Sequence, residues 1–533
     1  MHSSALMTGG RKQVQKIKKK ITGDPFEGLP GGNVMRVDCR LYVRDLALAA
    51  ILFGAVGLSS AAYAGDQNSL ENMKNPKFAL DPSWPKPLPS TTTNGVAHPW
   101  VQGEVAGNCV DLHDNVYTFN RGWEVGVTYP ATGGVLQGNQ SGAIVGQDAS
   151  ASAIPSPPIV VFDSDGNTIA GFGNPTLIQG PNPNFGYPTY LPHGAHGCFV
   201  DYQGYLWVGG NGDGVVQKYN PQAAAKAGEN AQYVTQIGTH GQCDGPPNPG
   251  GLTYTSCGDA SSFNTSHTLL NEPADIAVDP NPDPVTHTRG SVYIADGYGN
   301  HRVVVFTTND GGKTYQYSRQ WGTSCDHVGQ DCPAGTFGKT GGGHPHCIVL
   351  GNDGFVYVCD RPNSRIQVFD KSCGGPSTPG TPGVQPVCVP RRIINIGLTA
   401  GVTPPAGSDG NKAFRLADPA DAAAIQLAGT RGDDMDFWPN IDPLASQSPT
   451  SQRVIVNVDL GNDNTWLMDK ATATVFGALG VCGIMPCPGH NGGHFAFGHT
   501  AAVDSDGNIY IAETITGRRI QKFVPVMGNG HGH

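Results

Sequence analysis

Charged side chains are scarce in this chain of 533 residues, because Asp, Glu, Lys and Arg together account for only 14 % of it. Aromatic residues contribute a further 8 %. The long stretches of Ala, Glu, Lys, Leu and Arg that coiled coils and helical bundles need are missing, which argues against both folds. Glycine and proline are abundant instead, with 75 and 42 residues, and short apolar runs lie between them. This pattern predicts a large all-β fold with many turns.

The apolar run near the N-terminus is too short to cross a bilayer comfortably. Leu46–Leu58 spans 13 residues, whereas a transmembrane helix needs about 20. Small residues ending at Ala64 follow the run, and three arginines precede it, Arg36, Arg40 and Arg44. We therefore predict that residues 1–64 are an n-region and a secretory signal peptide, with Met35 as an alternative start. An uncleaved membrane anchor is the other interpretation of this segment.

Basic residues are concentrated in the same leading segment. Residues 1–64 hold nine of the 33 Lys and Arg and four of the 43 Asp and Glu, which leaves 24 basic and 39 acidic residues. The formal net charge of the mature chain is therefore −15, which argues against nucleic acid or an anionic membrane as a partner. We expect a secreted or periplasmic protein without a membrane partner after cleavage.

Paired Cys-x-x-Cys motifs are missing, which argues against a structural zinc ribbon. Twelve cysteines remain after the leading segment, in a chain that we expect in an oxidising compartment. Eight of them form close pairs in glycine- and proline-rich stretches, which predicts four local disulfides. The predicted pairs are Cys243–Cys257, Cys325–Cys332, Cys373–Cys388 and Cys482–Cys487.

An internal repeat is the most informative feature of the sequence. Each copy has an apolar strand, a turn with Asp or Asn and Gly, a second strand of the Val-Tyr-Ile-Ala type and a third like Arg-Ile-Gln-x-Phe. Strong copies start at His196, Ala274, His346 and His499, and weaker ones lie at 103–121 and 454–476. Hairpins repeated about every 40 residues predict the blades of a β-propeller.

Six such copies predict a six-bladed β-propeller, and their signature resembles the NHL repeat. We expect the propeller over residues 95–526, after a linker at 65–94 and before a flexible tail at 527–533. Insertions rich in glycine, proline and serine, such as 400–452, are expected to form long surface loops between blades.

Three histidines occupy the same position in their repeats, at the start of the innermost strand. His196, His346 and His499 each lie eight residues before the turn glycine, in the second, fourth and sixth blades. Alternate blades would bring the three imidazoles to the central axis. Three histidines with one open position are typical of a catalytic zinc, although neutral imidazole also binds copper or iron. The alternative interpretation is a hydrogen-bonded core histidine at each blade start.

Three further polar side chains are expected near the same end of the propeller. Arg121 ends the second strand of the first blade, while Tyr298 and Arg361 lie in turns after the second strands of the third and fourth blades. An arginine can bind a carboxylate through two hydrogen bonds, and a tyrosine near a metal can donate or accept a proton. Each also has a structural interpretation, as a stacking tyrosine or an arginine that bridges blades.

At these positions the chain resembles the catalytic core of peptidylglycine α-hydroxyglycine α-amidating lyase, a six-bladed propeller with a zinc ion held by three histidines. The stretches that carry the resemblance are HGCFVDYQGYLWV, PHCIVL and FGHTAAVDSDGNIYIAE. They imply zinc ligands at His196, His346 and His499, with His193 as a weaker substitute for the first.

Three other stretches imply the remaining residues of the active site. VYIADGYGNHR implies a catalytic tyrosine at Tyr298, GNCVDLHDNVYTFNRG implies an arginine at Arg121, and CDRPNSRIQVF implies another at Arg361. The family also binds a structural calcium, which the resemblance would place at the backbone carbonyls of Asn108 and Cys198. The carboxylate that binds this calcium in the family is replaced by Thr500. Because calcium prefers charged oxygen ligands, we treat it as doubtful here.

The resemblance implies cleavage of the N–C bond of a carbinolamide to an amide and glyoxylate, with a peptide or small molecule as substrate. Zinc would acidify the substrate hydroxyl, Tyr298 would take its proton and Arg121 would position its carboxylate. A separate monooxygenase would supply the hydroxylated substrate. Two alternatives stay open: a non-catalytic NHL-repeat propeller that binds a partner around a structural metal, and a metal-dependent hydrolase such as a lactonase. The histidines argue against the hydrolase, because lactonases coordinate their cation with Glu, Asn and Asp.

Overall fold

The computed structural model describes a series of segments separated by gaps, and the structural statements below concern these residues. They are 70, 73–93, 95–121, 128–129, 134–135, 154–172, 191–192, 194–221, 232–245, 264–325, 332–338, 344–375, 388–396, 432–440, 451–482 and 485–527. All of them belong to the second of the two compact units into which the chain divides, Met1–Tyr63 and Ala64–His533. The predicted signal peptide lies outside the described residues, as do His193 and the last six residues of the predicted tail.

Six four-stranded antiparallel sheets in these segments form the blades of a propeller. From the innermost to the outermost strand, the first blade consists of Val105–Val110, Val116–Asn120, Ile159–Phe162 and Thr168–Phe172. The second consists of Ala195–Val200, Leu206–Gly210, Val215–Asn220 and Gln232–Gly238. The third consists of Pro273–Asp279, Ser291–Asp296, Arg302–Thr307 and Gln316–Trp321.

The second half of the ring repeats this arrangement. The fourth blade consists of Cys347–Leu350, Phe355–Asp360, Arg365–Asp370 and Arg392–Asn395. The fifth consists of Asp434–Trp438, Val454–Asp459, Asn464–Asp469 and Val475–Leu479. The sixth consists of Gly498–Val503, Ile509–Glu513, Arg519–Pro525 and, as its outermost strand, Phe78–Leu80. The predicted six-bladed β-propeller is therefore confirmed.

Several shorter elements lie outside the six four-stranded sheets. Arg361–Asn363 forms a 3₁₀ turn after the second strand of the fourth blade. The remaining strands, grouped by the small sheets that they form, are Ser90–Thr93 with Val96–Val101 and Ile154–Pro155, Ser324–Cys325 with Phe337–Gly338, Val481–Cys482 with Met485–Pro486, and Thr128–Tyr129 with Gly134–Val135. Among the described residues there is no helix with the length and hydrophobicity needed to cross a membrane.

In the second and sixth blades, an aspartate and a glycine form the turn between the first two strands. In the second blade the Asp201 carboxylate accepts the backbone N–H groups of Gln203 and Tyr205, at 2.9 and 3.0 Å. Gly204 completes that turn with a φ of +80°, which a side chain would disfavour. This local pairing of an acidic residue with a turn glycine recurs along the chain, and it explains why the hairpins were visible in the sequence.

The innermost strands of neighbouring blades contact one another around a complete ring, with the sixth blade next to the first. Apolar side chains from facing blades fill the space between the sheets. Between the fifth and sixth blades, for example, Trp438, Leu467 and Ile511 belong to one buried cluster. Burial of large side chains of this kind stabilises the fold by about 1.5–3 kcal/mol each. Because the innermost strands line the ring side by side, the first residue of each lies at one end of the central axis.

The structure differs from the expected boundaries at two places. Phe78–Leu80 lies in the segment predicted to be a linker, yet it pairs with Phe523–Pro525 as the outermost strand of the sixth blade. Asp434–Trp438 lies in a predicted surface insertion, yet it is the innermost strand of the fifth blade. A three-residue strand and a strand without the usual turn glycine after it carry too little pattern to be recognised by repeat alignment.

Five disulfides have both of their cysteines among the described residues. Three of them are predicted local pairs, Cys325–Cys332, Cys373–Cys388 and Cys482–Cys487. Two were not predicted. Cys109–Cys198 joins the first two blades, whose strands become neighbours only in the fold, and Cys347–Cys359 joins the first two strands of the fourth blade. Cys243 is also disulfide-bonded, and its predicted partner Cys257 lies outside the described residues.

Candidate metal centre

The three histidines that share a repeat position meet at the central axis. His196, His346 and His499 are 2 %, 1 % and 4 % exposed, so all three are buried. One ring nitrogen of each lies within 4.8 Å of those of the other two. A tetrahedral zinc ion needs ligand nitrogens about 3.4 Å apart, so only a small adjustment would be required. The structure thus brings together the three side chains predicted to bind a metal.

The blades between the histidines hold each imidazole in place through a backbone carbonyl. Nδ1 of His196 lies 2.8 Å from the carbonyl oxygen of Ala274, and Nδ1 of His499 lies 2.8 Å from that of Ala106. Nδ1 of His346 is 2.5 Å from the carbonyl oxygen of Asp433. A carbonyl only accepts hydrogen bonds, so Nδ1 carries the proton in all three rings and Nε2 keeps its lone pair. The second, fourth and sixth blades thus supply the imidazoles, and backbone carbonyls of the third, fifth and first blades fix their tautomer.

The Tyr298 hydroxyl lies against two of these Nε2 atoms. Its oxygen is 3.1 Å from Nε2 of His196 and 3.0 Å from Nε2 of His346. Because the carbonyls fix all three Nε2 atoms as acceptors, one hydroxyl proton can satisfy only one of them at a time. Buried acceptors that converge without enough donors are costly in a protein interior. A cation would satisfy all three lone pairs together, so the donor set fits a divalent metal such as zinc.

The electrostatic environment keeps these imidazoles neutral. Burial holds the pKa of His196 well below 6.5, and repulsion from His499 and Arg121 lowers it further. Burial and then the charge of Arg361 do the same to the pKa of His346. Burial, Arg121 and Arg361 lower the pKa of His499 to about 3. Neutral imidazole is the form that binds a metal, so the site is ready to do so at neutral and mildly acidic pH.

Tyr298 reaches the axis because two glycines flank it. It follows the strand Ser291–Asp296, and its backbone N–H donates to the carbonyl of Glu272 at 3.2 Å. A Cβ atom on Gly297 would overlap the backbone of Pro345, and one on Gly299 would overlap the side chain of Asn271. The small residues on both sides let this turn pack closely enough to place the half-buried phenol beside the histidines.

Arg361 lies on the other side of Tyr298, at the start of the 3₁₀ turn. Its Nη1 donates to the Tyr298 hydroxyl at 3.3 Å, and its guanidinium carbon is 5.3 Å from the centre of the phenol ring. Its Nε is 3.6 Å from a carboxylate oxygen of Asp433. Asp433 is fully buried and accepts the Leu460 backbone N–H with its other oxygen, at 2.8 Å. Asp433 therefore orients His346 through its backbone carbonyl and Arg361 through its carboxylate.

The guanidinium of Arg121 makes its hydrogen bonds and its ion pair with neighbouring groups of the protein. Its Nε donates to the carbonyl of Ala195 at 3.0 Å, and its Nη2 donates to the carbonyl of Gly194 at 3.2 Å and to Oδ1 of Asn211 at 3.0 Å. Its Nη1 is 3.7 Å from the carboxylate of Glu104. These contacts tie the first blade to the second directly beside His196, and they bring the positive charge of Arg121 to the histidine cluster.

Sequence reasoning missed the three residues that support the two arginines, Glu104, Asn211 and Asp433. Of the three, only Glu104 could have been noticed in the sequence, because it is an isolated acidic residue just before the apolar strand Val105–Val110. Asp433 lies next to a strand that had been assigned to a surface insertion. Their roles follow from contacts between blades, which repeat alignment does not show.

The residues considered as calcium ligands lie on the innermost strands, near the histidine centre. Oγ1 of Thr500 donates to Oδ1 of Asn108 at 2.5 Å, so a neutral hydrogen bond occupies the place of a carboxylate ligand. Cys198 is in a disulfide, which leaves its backbone carbonyl chemically unchanged. Calcium at Asn108 and Cys198 stays an untested prediction.

Buried carboxylates of the innermost strands also connect neighbouring blades. Asp275 of the third blade accepts the backbone N–H of Ile348, and Asp434 of the fifth accepts that of Ala501, at 2.9 and 2.8 Å. Burial raises the pKa of Asp275 to about 7 and that of Asp434 well above its usual range, where the charge of Asp275 adds to the effect. These aspartates therefore link neighbouring blades as hydrogen-bond acceptors.

Residues 343–369 match the model of the NHL repeat. The chain is a six-bladed β-propeller, and one segment of it matches the NHL repeat. The matched residues include His346 and Arg361, so the recognised repeat contributes two of the side chains at the candidate centre of this propeller.

Two curated proteins show sequence similarity to this propeller. Peptidylglycine alpha-amidating monooxygenase of Rattus norvegicus is 26 % identical over 269 residues, which cover 50 % of this chain and 20 % of that protein. Peptidyl-glycine alpha-amidating monooxygenase B of Xenopus laevis is 33 % identical over 105 residues, which cover 19 % of this chain and 10 % of that protein. The propeller thus spans a fifth or less of the length of these curated relatives.

Solved propeller structures superpose loosely on this chain. A streptogramin B lyase has 12 % identity and a TM-score of 0.37, and the alignment covers 84 % of this chain and 98 % of the other. The gluconolactonase XC5397 of Xanthomonas campestris has 10 % identity and a TM-score of 0.37, with 85 % and 100 % covered. At these scores neither similarity supports a conclusion about the activity of this propeller.

Proposed function

We propose that this propeller is a secreted, zinc-dependent lyase that cleaves the N–C bond of a carbinolamide, a peptidyl-hydroxyglycine-like substrate, to an amide and glyoxylate. The observation that carries the proposal is the position of the Tyr298 hydroxyl, 3.1 and 3.0 Å from two of three converging histidine nitrogens and beside Arg361. This arrangement combines a cation site with a group that can move protons. The similarity to the amidating monooxygenases supports the same chemistry.

A divalent cation held by His196, His346 and His499 supplies Lewis acidity, which makes the hydroxyl of an alcohol substrate easier to deprotonate. Tyr298 is the group within reach of that hydroxyl, so it would take the proton as the carbon–oxygen double bond forms and the C–N bond breaks. It would then return a proton to the departing amide nitrogen. Nη1 of Arg361 donates to the Tyr298 oxygen, which places a positive charge where negative charge develops.

The two arginines give the site a preference for an anionic substrate. Arg361 and Arg121 both lie close enough to lower the pKa of the histidines, and both are almost fully buried. A substrate carboxylate would offset this positive charge in a site that water enters poorly. Arg361 would orient the carboxylate next to Tyr298, and Arg121 would contribute its charge while it holds the first two blades together.

Secretion and partners complete the proposal. Five described disulfides fit an oxidising compartment, and the excess of acidic residues disfavours nucleic acid. We propose a peptide or small molecule as the substrate and a separate monooxygenase as its source.

The direct test is to incubate the zinc-loaded protein with N-benzoyl-α-hydroxyglycine and to measure glyoxylate and benzamide. We expect equal amounts of both products. Tyr298→Phe should lose about 10²–10⁴-fold in rate while it keeps its zinc, as expected for loss of a proton-transfer group. Tyr202→Phe is the matched control, because Tyr202 lies beyond the far end of the strand Ala195–Val200. A zinc-loaded wild-type protein without glyoxylate release would refute the proposal.

Asp433→Asn tests the proposed role of Arg361. The substitution keeps the main-chain oxygen that binds Nδ1 of His346 but removes the negative charge 3.6 Å from Nε of Arg361. We expect unchanged zinc content and a decrease of about 10–100-fold in kcat/KM. Wild-type kinetics in this variant would mean that Arg361 needs no carboxylate to hold it in place.

A second candidate function is a binding propeller in which the metal is structural. The hydrogen bonds from Arg121 to Gly194 and Ala195 favour it, because they join two blades at the axis. In that case zinc would raise the thermal stability of the protein, yet neither the wild-type protein nor Tyr298→Phe would release glyoxylate. The product assay therefore separates the two functions.

A further inference from the structure

A second group of metal-binding side chains lies in the loop between the fifth and sixth blades, here called the 482–494 loop. Cys482, Cys487 and His494 each offer one ligand atom, and these atoms lie within 4.8 Å of one another. The Sγ atom of Cys482 is 3.8 Å from Nε2 of His494. A tetrahedral zinc ion would need about 3.6 Å between a thiolate sulfur and an imidazole nitrogen. The histidine is therefore already placed for coordination.

The two cysteines are joined by a disulfide, which removes their ability to bind a metal as thiolates. This disulfide is the most accessible of the five whose cysteines are both described. Cys482 is exposed and Cys487 is half-buried, whereas both cysteines of the other four pairs are buried. Because the rate of thiol–disulfide exchange depends on access to the sulfur atoms, a dithiol reductant should open this bond first.

Hydrogen bonds hold the part of the 482–494 loop that surrounds His494, independently of the disulfide. Arg519 donates hydrogen bonds to the carbonyls of Gly489, Asn491 and His494, at 3.2, 3.3 and 2.9 Å. The Glu513 carboxylate in turn accepts from Nε of Arg519 at 2.6 Å. Reduction of the disulfide would leave these contacts intact. The backbone N–H of Cys487 also donates to the carbonyl of Gly480 at 2.9 Å, and Cys482 pairs with Met485 in a short two-stranded sheet, so both cysteines would stay near His494.

A second side chain holds the backbone at His494. The carbonyl of His494 also accepts a hydrogen bond from Nε2 of Gln521 at 2.8 Å, and Oε1 of Gln521 accepts the backbone N–H of Gly493 at 2.8 Å. These contacts limit the motion of His494 and lower the entropy that metal binding would cost.

We propose that reduction of the Cys482–Cys487 disulfide converts the 482–494 loop into a second metal site, in which two thiolates and Nε2 of His494 bind zinc. In the first step a dithiol reductant supplies two electrons and two protons. The Sγ–Sγ bond breaks, both cysteines become thiols and the reductant becomes a disulfide. In the second step both thiols release their protons to solvent as the cation binds. This site is distinct from the three-histidine centre in ligand chemistry, since it adds sulfur, and in its dependence on redox state.

The test uses the full chain, limited reduction with dithiothreitol, removal of the dithiothreitol without air, and Co²⁺ as the probe. Mass spectrometry after thiol alkylation verifies that Cys482 and Cys487 have been reduced. Cobalt should then produce a thiolate-to-cobalt charge-transfer band in the near ultraviolet, which the unreduced protein lacks. Neither the three-histidine centre nor the C-terminal histidines can produce this band, because they contain no sulfur.

Two histidine variants test the geometry. His494→Ala should weaken cobalt binding at this site about 10-fold or more, because one of three protein ligands is lost. His490→Ala is the matched control, an exposed histidine of the same loop, and it should retain the wild-type affinity. The proposal fails if the reduced wild-type protein gives no charge-transfer band, or if His494→Ala binds cobalt as tightly as the wild-type protein.

Discussion

Zinc should stay bound to the three-histidine centre at a pH at which an ordinary cluster of histidines would release it. A histidine with a pKa of 6.5 is about three-quarters neutral at pH 7 and about 3 % neutral at pH 5, a loss of about 25-fold. Three such residues would lower the affinity for a metal about 10⁴-fold. Here burial and the nearby arginines lower the pKa of His499 to about 3 and that of His196 and His346 well below 6.5.

The expected result is therefore a change of less than about tenfold in zinc affinity between pH 7 and pH 5. The assay is competition with a chelator of known pH dependence, on protein that ends at Met527 so that the histidines of the tail do not contribute. A peptide with the sequence of residues 528–533 is the reference for ordinary histidines. It should lose most of its zinc between the same two pH values.

A loss of about 10⁴-fold in zinc affinity between pH 7 and pH 5, as expected for unperturbed histidines, would contradict the lowered pKa values of the three histidines. In the metal-free protein the three histidines should lower the free energy of unfolding as the pH falls from 6.5 towards 3, because the unfolded histidines take up protons there and the folded ones do not. The buried carboxyl groups of Asp275 and Asp434, whose pKa values are raised by burial, act in the opposite direction.

Three further predictions concern stability. Removal of the metal with a chelator at pH 7 should lower the Tm of the wild-type protein and leave that of His346→Ala unchanged; equal shifts in both would place the metal elsewhere. The double variant Cys109→Ala/Cys198→Ala should lose about 4–5 kcal/mol of unfolding free energy, because its disulfide closes a loop with a sequence separation of 89, and an unchanged denaturation midpoint in urea would argue against this pairing. Leu80→Asp should cost about 1–3 kcal/mol, because Leu80 packs against the core beside the sixth blade. Ala79→Asp is its control on the exposed face of the same strand, and calorimetry should find that variant close to wild type.

The repeat was visible in the sequence because a propeller is built from local hairpins. An acidic residue and a turn glycine mark several of the hairpins, as at Asp201 and Gly204, and their contacts involve residues only a few positions apart. Aligning the copies then placed His196, His346 and His499 at one position of the blade. Since equal positions in a propeller lie at equal distances from its axis, the meeting of the three histidines could be predicted without coordinates.

Other parts of the site could not be predicted, because they depend on contacts between blades. The carbonyls of Ala106 and Ala274 and that of Asp433 orient the histidines, yet a main-chain oxygen leaves no mark in the sequence. The buried carboxylates of Glu104 and Asp433 face the two arginines of the site from other segments of the chain.

The sequence by itself thus determined the class of fold, the number of blades and the residues that meet on the axis, because all three follow from a short repeated pattern. The tertiary structure alone decided which strand completes the sixth blade, which distant cysteines pair and which histidine nitrogens face the centre. Those features depend on segments far apart in the chain, such as Phe78–Leu80 with Phe523–Pro525 and Cys109 with Cys198. Their geometry exists only once the ring of blades has formed.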